Sequence, residues 1–186
     1  MLSLAYKDQA TRAIGRLHFL LNVPKRDRQR AVLVAIAIGV CGWVFNTRFG
    51  LFLDVAETRC MPEWLYLGYP KNRELQRGDV VSFRADNRMM FDLMTGRRIA
   101  KIVAAMPGDH VRSSADGVYV NGQKVAARHA QSLSRLAELG KDPVDVDRML
   151  NPGEIFVLGT LPRSFDSRYW GVMPESKVDR FVKALL

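Results

Sequence analysis

The chain reads as a mainly β protein: an antiparallel β domain with a small helical insertion, preceded by an N-terminal amphipathic helix and one transmembrane helix. Three observations predict this. One is an uncharged apolar run over 31–45, AVLVAIAIGVCGWVF. A second is the change of rhythm from Glu57 onward to short apolar runs broken by Gly, Pro, Asn and Asp, as antiparallel strands and turns require. The third is Asn121-Gly122 between two β-forming runs, a strong short-range hairpin signal.

In the first 30 residues Leu2, Tyr6, Ala10, Ile14, Leu17 and Leu21 recur at spacings of three and four, which places them on one helix face until Pro24 ends it. With basic residues on its other faces, this helix suits either the inner leaflet of a membrane or a partner protein. The 15 apolar residues of 31–45 fall short of the roughly 20 that span a bilayer as helix. If Arg48 snorkels to the headgroups, 49–53 complete a 31–53 anchor. A cleaved signal peptide has an apolar stretch of similar size, but Ala56 has Asp54 two residues before it rather than a small residue. Nor does Val40 before Cys41 suit lipid attachment, so a retained anchor is expected. Lys25, Arg26, Arg28 and Arg30 crowd its N-terminal flank, whereas Arg48 and Arg59 are balanced by Asp54 and Glu57. The N-terminus is therefore expected in the cytoplasm and 54–186 outside.

Within 54–186, strands are expected over 64–67, 79–83, 99–105, 110–113, 118–120, 124–125 and 155–159. Leu133, Leu136 and Leu139, three apart, predict a short helix over 131–139 inside a 126–150 helical insertion.

A composition of 48% hydrophobic and 25% charged residues over 186 positions is that of a folded protein. The net charge of +9 is lopsided: 1–30 hold seven Lys and Arg against two Asp, leaving +4 for the remainder. A basic block beside an apolar run fits a membrane surface, and no nucleic-acid-binding motif accompanies it, so a lipid bilayer and not nucleic acid is the expected partner. His18, His110 and His129 lack ligand spacing, so no metal or cofactor is expected. Cys41 lies in the apolar run and Cys60 well beyond it, which does not make a disulfide framework.

Cys60 has two explanations, a buried small hydrophobe or a nucleophile. It stands 15 residues past Phe45, before a turn at Pro62, so any substrate it attacks is presented close to the membrane. Lys101 sits in Ile99-Ala100-Lys101-Ile102-Val103-Ala104, where one inward charge needs a reason; the other explanation is an outward lysine on an alternating strand. An amine with the ordinary lysine pKa of about 10.4 is a poor base at neutral pH, and a water-poor pocket lowers that value. Ser164, Asp166 and Arg168 form a hydroxyl, carboxylate and guanidinium cluster, or else a turn and a surface ion pair. Trp64 opens an apolar stretch, Trp64-Leu65-Tyr66-Leu67, which suits a core strand or a strand whose outer face meets lipid.

Cys60-Met61-Pro62, Gly78-Asp79-Val80-Val81, Lys101 with Pro107-Gly108-Asp109, and Ser164-Phe165-Asp166-Ser167-Arg168-Tyr169-Trp170-Gly171 follow one another from about 58 to 174. In order and spacing they resemble the signal peptidase I family of serine-lysine membrane proteases. The compact single-anchor layout is most similar to the conjugative-transfer, TraF-type branch, which matures pilin precursors and in some systems joins pilin ends into a ring.

The resemblance implies a signal-peptidase-like β domain in the periplasm, anchored in the bacterial inner membrane. It implies Cys60 as nucleophile, Lys101 as general base and Thr58 as an oxyanion-hole hydroxyl. Ser164 would orient the lysine, Asp166, grouped with the catalytic residues Cys60 and Lys101, would buttress the site as a charge pair with Arg168, and Met61, Pro62 and Trp64 would face substrate or membrane. Its implied partners are a pilin or other membrane-bound precursor peptide and further secretion-system components. Two features depart from the family pattern. Most members carry serine where this chain has Cys60, and Val157-Leu158-Gly159-Thr160-Leu161-Pro162-Arg163 is less polar than the corresponding run of general signal peptidases. A general leader peptidase and an inactive membrane-anchored scaffold remain the alternative functions.

Overall fold

The computed structural model describes residues 24–53, 61–86 and 95–185. The expected amphipathic helix before Pro24, together with Thr58 and Cys60, lies outside them. The chain divides into two units, Met1–Thr47 and Arg48–Leu186.

The described residues of the first unit belong almost wholly to helix α1 (Lys25–Arg48). The Pro24 carbonyl accepts the N–H groups of Asp27 at 2.9 Å and Arg28 at 3.0 Å, so a residue with no N–H of its own opens the first turn. The helix is longer than the apolar run, because Lys and Arg are good helix formers whose stems carry their charges to water. None of its side chains is buried. Its 24 residues rise about 36 Å, more than a hydrocarbon core of roughly 30 Å. Length and composition both suit a bilayer span.

The second unit contains β1 (Gly50–Leu53), β2 (Leu65–Pro70), β3 (Val80–Arg84), β4 (Arg98–Ala105), β5 (His110–Ser114), β6 (Gly117–Val120), β7 (Gln123–Ala126), α2 (Ala130–Glu138), β8 (Val146–Met149), β9 (Glu154–Leu158), α3 (Ser167–Trp170), β10 (Met173–Pro174) and β11 (Val178–Ala184). One sheet runs β1-β2-β11-β3-β4-β9-β10 and the other β7-β6-β5-β8. The strand pairs are antiparallel throughout.

All seven expected strands form, with ends shifted by up to three residues. Three findings differ from the sequence reading. Residues 50–53, expected to prolong the anchor, form β1 instead, with Leu51 opposite Leu67 and Leu53 opposite Leu65. Alternation decides this: Phe52 turns inward and stacks on Tyr66 at 5.3 Å, while Leu51 and Leu53 face out. The 126–150 insertion is only partly helical, since β8 pairs with β5. β11 went unpredicted although it lies between β2 and β3, because Asp179, Arg180 and Lys183 interrupt its apolar pattern. Asp179 is satisfied across the sheet by Ser82 Oγ at 3.0 Å and Arg98 at 2.8 Å.

Asn121-Gly122 makes the expected two-residue hairpin, both residues at positive φ. One buried cluster, including Val81, Phe83, Val103, Val157, Trp170 and Phe181, lies on the face of the large sheet that carries Lys101. Another, including Val111, Val118 and Phe156, joins the small sheet to β9.

Candidate active site

Lys101 enters from the middle of β4. Lys101, Val103 and Ala105 are its buried positions, alternating with half-buried Ala100, Ile102 and Ala104. Period-two geometry thus turns the lysine inward, and it is 0% exposed. Its Nζ donates to Ser164 Oγ at 2.9 Å, and Ser164 is itself buried. Burial of an amine without a partner is costly, so this hydroxyl is what makes the inward lysine tolerable.

Ser164 sits in a turn closed by its N–H on the Leu161 carbonyl at 3.0 Å. Two residues on, Asp166 caps α3, and both its oxygens are engaged. Oδ1 accepts from Arg168 Nε at 2.8 Å and the Arg168 N–H at 3.1 Å; Oδ2 accepts from Arg168 Nη2 at 2.6 Å and the Gly159 N–H at 2.8 Å. The Arg168 guanidinium also donates to the carbonyls of Gly159, Leu161, Pro162 and Ala127 at 3.2–3.4 Å. The pair is buried and fastens the loop that carries Ser164. Asp166, grouped with the catalytic residues from sequence, directs its carboxylate at this loop.

Met61 is buried with Tyr66 and Val182, and Ala100 and Ile102 pack against the same cluster. The residue that follows Cys60 in sequence is therefore in the cluster that receives both chain neighbours of Lys101. Pro62 is exposed, and so is Trp64, at 46%. Lys101, Ser164, Asp166 and Arg168 are thus brought together, whereas Trp64 is a surface residue.

Residues 28–184 match the family model described as signal peptidase, peptidase S26. The chain belongs to the S26 signal peptidase family. It is 30% identical over 148 residues to a protein of Synechocystis sp. named probable signal peptidase I-2, covering 78% of this chain and 64% of that protein. The chain thus spans somewhat less than two thirds of the length of that curated relative. A crystal structure of a signal peptidase I from Enterococcus faecalis V583 aligns with 61% of this chain and 98% of its own, at 26% identity and a TM-score of 0.38.

The remaining S26-like motifs build turns around β4. Gly78 has a φ of +91°, its N–H donates to the Val103 carbonyl at 2.8 Å, and the Val103 N–H donates to the Asp79 carbonyl at 2.8 Å. A loop is thereby pinned two residues from Lys101. The Asp79 carboxylate takes both arms of Arg73 at 2.6 and 2.7 Å, and these hydrogen bonds hold it below the usual carboxylate range despite partial burial. Burial pushes Asp109 up. Hydrogen bonds from the Met106 N–H, the Asn121 amide and Arg77 outweigh it, so that this carboxyl too lies below its ordinary value.

Sequence reasoning missed Arg128, whose side chain is only 4% exposed although it follows two alanines in a stretch with no motif. Apart from exposed Asp145, its partners are backbone carbonyls from distant segments, so no local signal could have marked it.

Proposed function

We propose that this chain is a membrane-anchored peptidase that cuts membrane-bound precursor peptides through an acyl-enzyme on Cys60, with Lys101 as base and acid. The observation that carries the reading is the buried Lys101–Ser164 pair in a chain whose family match runs through Cys60-Met61-Pro62. α1 is the anchor of this reading, in a bacterial inner membrane, with the N-terminus cytoplasmic and the β unit periplasmic. Thr58 and the Cys60 N–H complete it as an oxyanion hole.

The Cys60 thiol gives its proton to Lys101 and attacks the scissile carbonyl. Collapse of the tetrahedral intermediate breaks the C–N bond as the lysine ammonium protonates the departing amine, leaving a thioester on Cys60. Water then releases an acid, or an amine releases a new amide, and the thiol is restored. Ser164 holds the lysine amine in line, while Asp166 and Arg168 hold the loop of Ser164.

The favoured substrate is a pilin precursor of a conjugation system, closed into a ring when its own amine attacks. A thioester is more prone to aminolysis than an oxygen ester, and the apolar 157–163 run departs from general leader peptidases; both support this reading. The likeness to a probable signal peptidase I supports a second reading, removal of secretory leaders after small residues.

The test is the intact mass of a pilin precursor and of a secretory precursor co-expressed with the chain, with Cys60→Ala and Lys101→Ala alongside. A trimmed pilin one water lighter than its linear form, lost in both variants, establishes a cyclising peptidase. A linear product establishes hydrolysis. Processing that survives both variants overturns the site.

A further inference from the structure

Arg128 is a buried cation that the chemistry above leaves unused. Only its outer edge meets solvent, where Nη2 pairs with exposed Asp145 at 2.7 Å. Its other bonds run inward. Nε donates to the Arg168 carbonyl at 2.9 Å, and Nη2 to the carbonyls of Val144 at 2.9 Å and Ser113 at 3.5 Å. The contact with Arg168 is reciprocal at the backbone, because Arg168 Nη1 donates to the Ala127 carbonyl at 3.2 Å. Two further bonds close the same seam: the His129 N–H donates to Tyr169 Oη at 2.8 Å, and the Val144 N–H to the Tyr169 carbonyl at 2.8 Å. Residues 127–129 and 144, which flank α2 within the insertion, therefore clasp α3, while the Asp166–Arg168 pair fastens α3 to the Ser164 loop.

We propose that Arg128 is a positioning residue for the Lys101–Ser164 pair, an inference that rests on the site assigned above. One planar guanidinium fixes three carbonyls from three segments, which a lysine point charge cannot reproduce. It holds the Arg168 backbone, Arg168 holds Leu161 and Asp166, and Ser164 hangs between those two. Loosening the clasp lets the hydroxyl drift from the amine, and displacements of about 1 Å at a reacting pair cost up to roughly 100-fold in rate.

The test is a double-mutant cycle on the full chain in detergent micelles. It follows single-turnover acylation by a short peptide p-nitrophenyl ester ending in alanine, a reaction that forms the Cys60 thioester and releases p-nitrophenolate. Arg128→Lys is expected to slow acylation about 10-fold when Ser164 is present and less than about twofold in a Ser164→Ala background, because coupled residues are non-additive. The same loss in both backgrounds means general destabilisation and overturns the proposal. Where Arg128→Lys does not hold its fold, Asp145→Ala, which removes only the outer partner of the guanidinium, takes its place in the cycle. A loss dependent on Ser164 then supports the proposal, and an equal or absent loss overturns it. Lys101→Ala reacting as fast as the parent would instead sink the active-site reading itself.

Discussion

Lys101 and Ser164, 63 positions apart in sequence, meet at 2.9 Å in a buried site. The lysine comes from a sheet strand and the serine from the turn before α3, so their meeting depends on packing between the large sheet and that turn. Removing the serine hydroxyl leaves a buried amine without its partner.

Ser164→Ala is accordingly expected to fold, at a cost of about 1–3 kcal/mol for the unsatisfied amine, and to slow acylation roughly 10- to 100-fold with little change in KM. Thermal unfolding and single-turnover kinetics measure the two effects separately. A variant acylated at full speed would take Ser164 out of the site.

Arg168→Ala leaves the Asp166 carboxylate buried without its guanidinium, and breaking a buried pair in this way costs about 3–5 kcal/mol. Asp166→Asn combined with Arg168→Gln should restore much of the stability while activity stays low, since the loop carbonyls still lose donors. Denaturant unfolding checks this; equal stability of Arg168→Ala and the parent would contradict the burial argument.

Cys60→Ser tests what the thiol contributes. An oxygen ester yields less readily to amines, so the ratio of joined to hydrolysed product from a pilin precursor should fall. An unchanged ratio, read by intact mass, would separate ring closure from the identity of the nucleophile.

Asp79 and Asp109 both hold their protons less tightly in the fold than in the unfolded chain, where an aspartate titrates near ~3.9. Each therefore contributes stability that is complete above about pH 4 and is lost as pH falls through its lower folded value. The thermal midpoint should decline over that acid range. Asp109→Asn should show a shallower decline between pH 5 and 2, and a parallel curve would mean that this carboxylate plays no part.

Leu51 and Leu53 are each 58% exposed on the outer face of β1, and Trp64 is 46% exposed just before β2. A fully buried leucine or tryptophan gains about 1.5–3 kcal/mol or more, so this edge suits contact with lipid. Glutamate at Leu51 and Trp64, in a form starting at Arg48, should weaken binding to anionic vesicles at least tenfold in a sedimentation assay. Unchanged binding would remove lipid contact from these residues.

Much of the fold was written locally. The alternating runs, the Asn121-Gly122 turn and the Leu133/Leu136 spacing each act over a few residues, where dihedral preference and side-chain period decide the outcome. Lys101 was legible as unusual, a single charge in a run apolar on both faces of its strand, but that it takes the buried face was decided by packing against Ser164. Motif order was enough to place the chain with signal peptidases.

Other features belong to tertiary structure alone. β11 carries three charged residues and becomes a central strand only because Ser82 and Arg98 answer Asp179 from across the sheet. Residues 50–53 are apolar enough for a membrane, and the free edge of β2 drew them into the sheet. From sequence Asp166 and Arg168 were either a pair buttressing the site or a surface ion pair, and packing decided for a buried pair; Arg128 had no signature at all. For β11 and Arg128 the deciding bonds join residues far apart in sequence, and a pattern read over a short window carries no record of which distant groups will come to satisfy a charge.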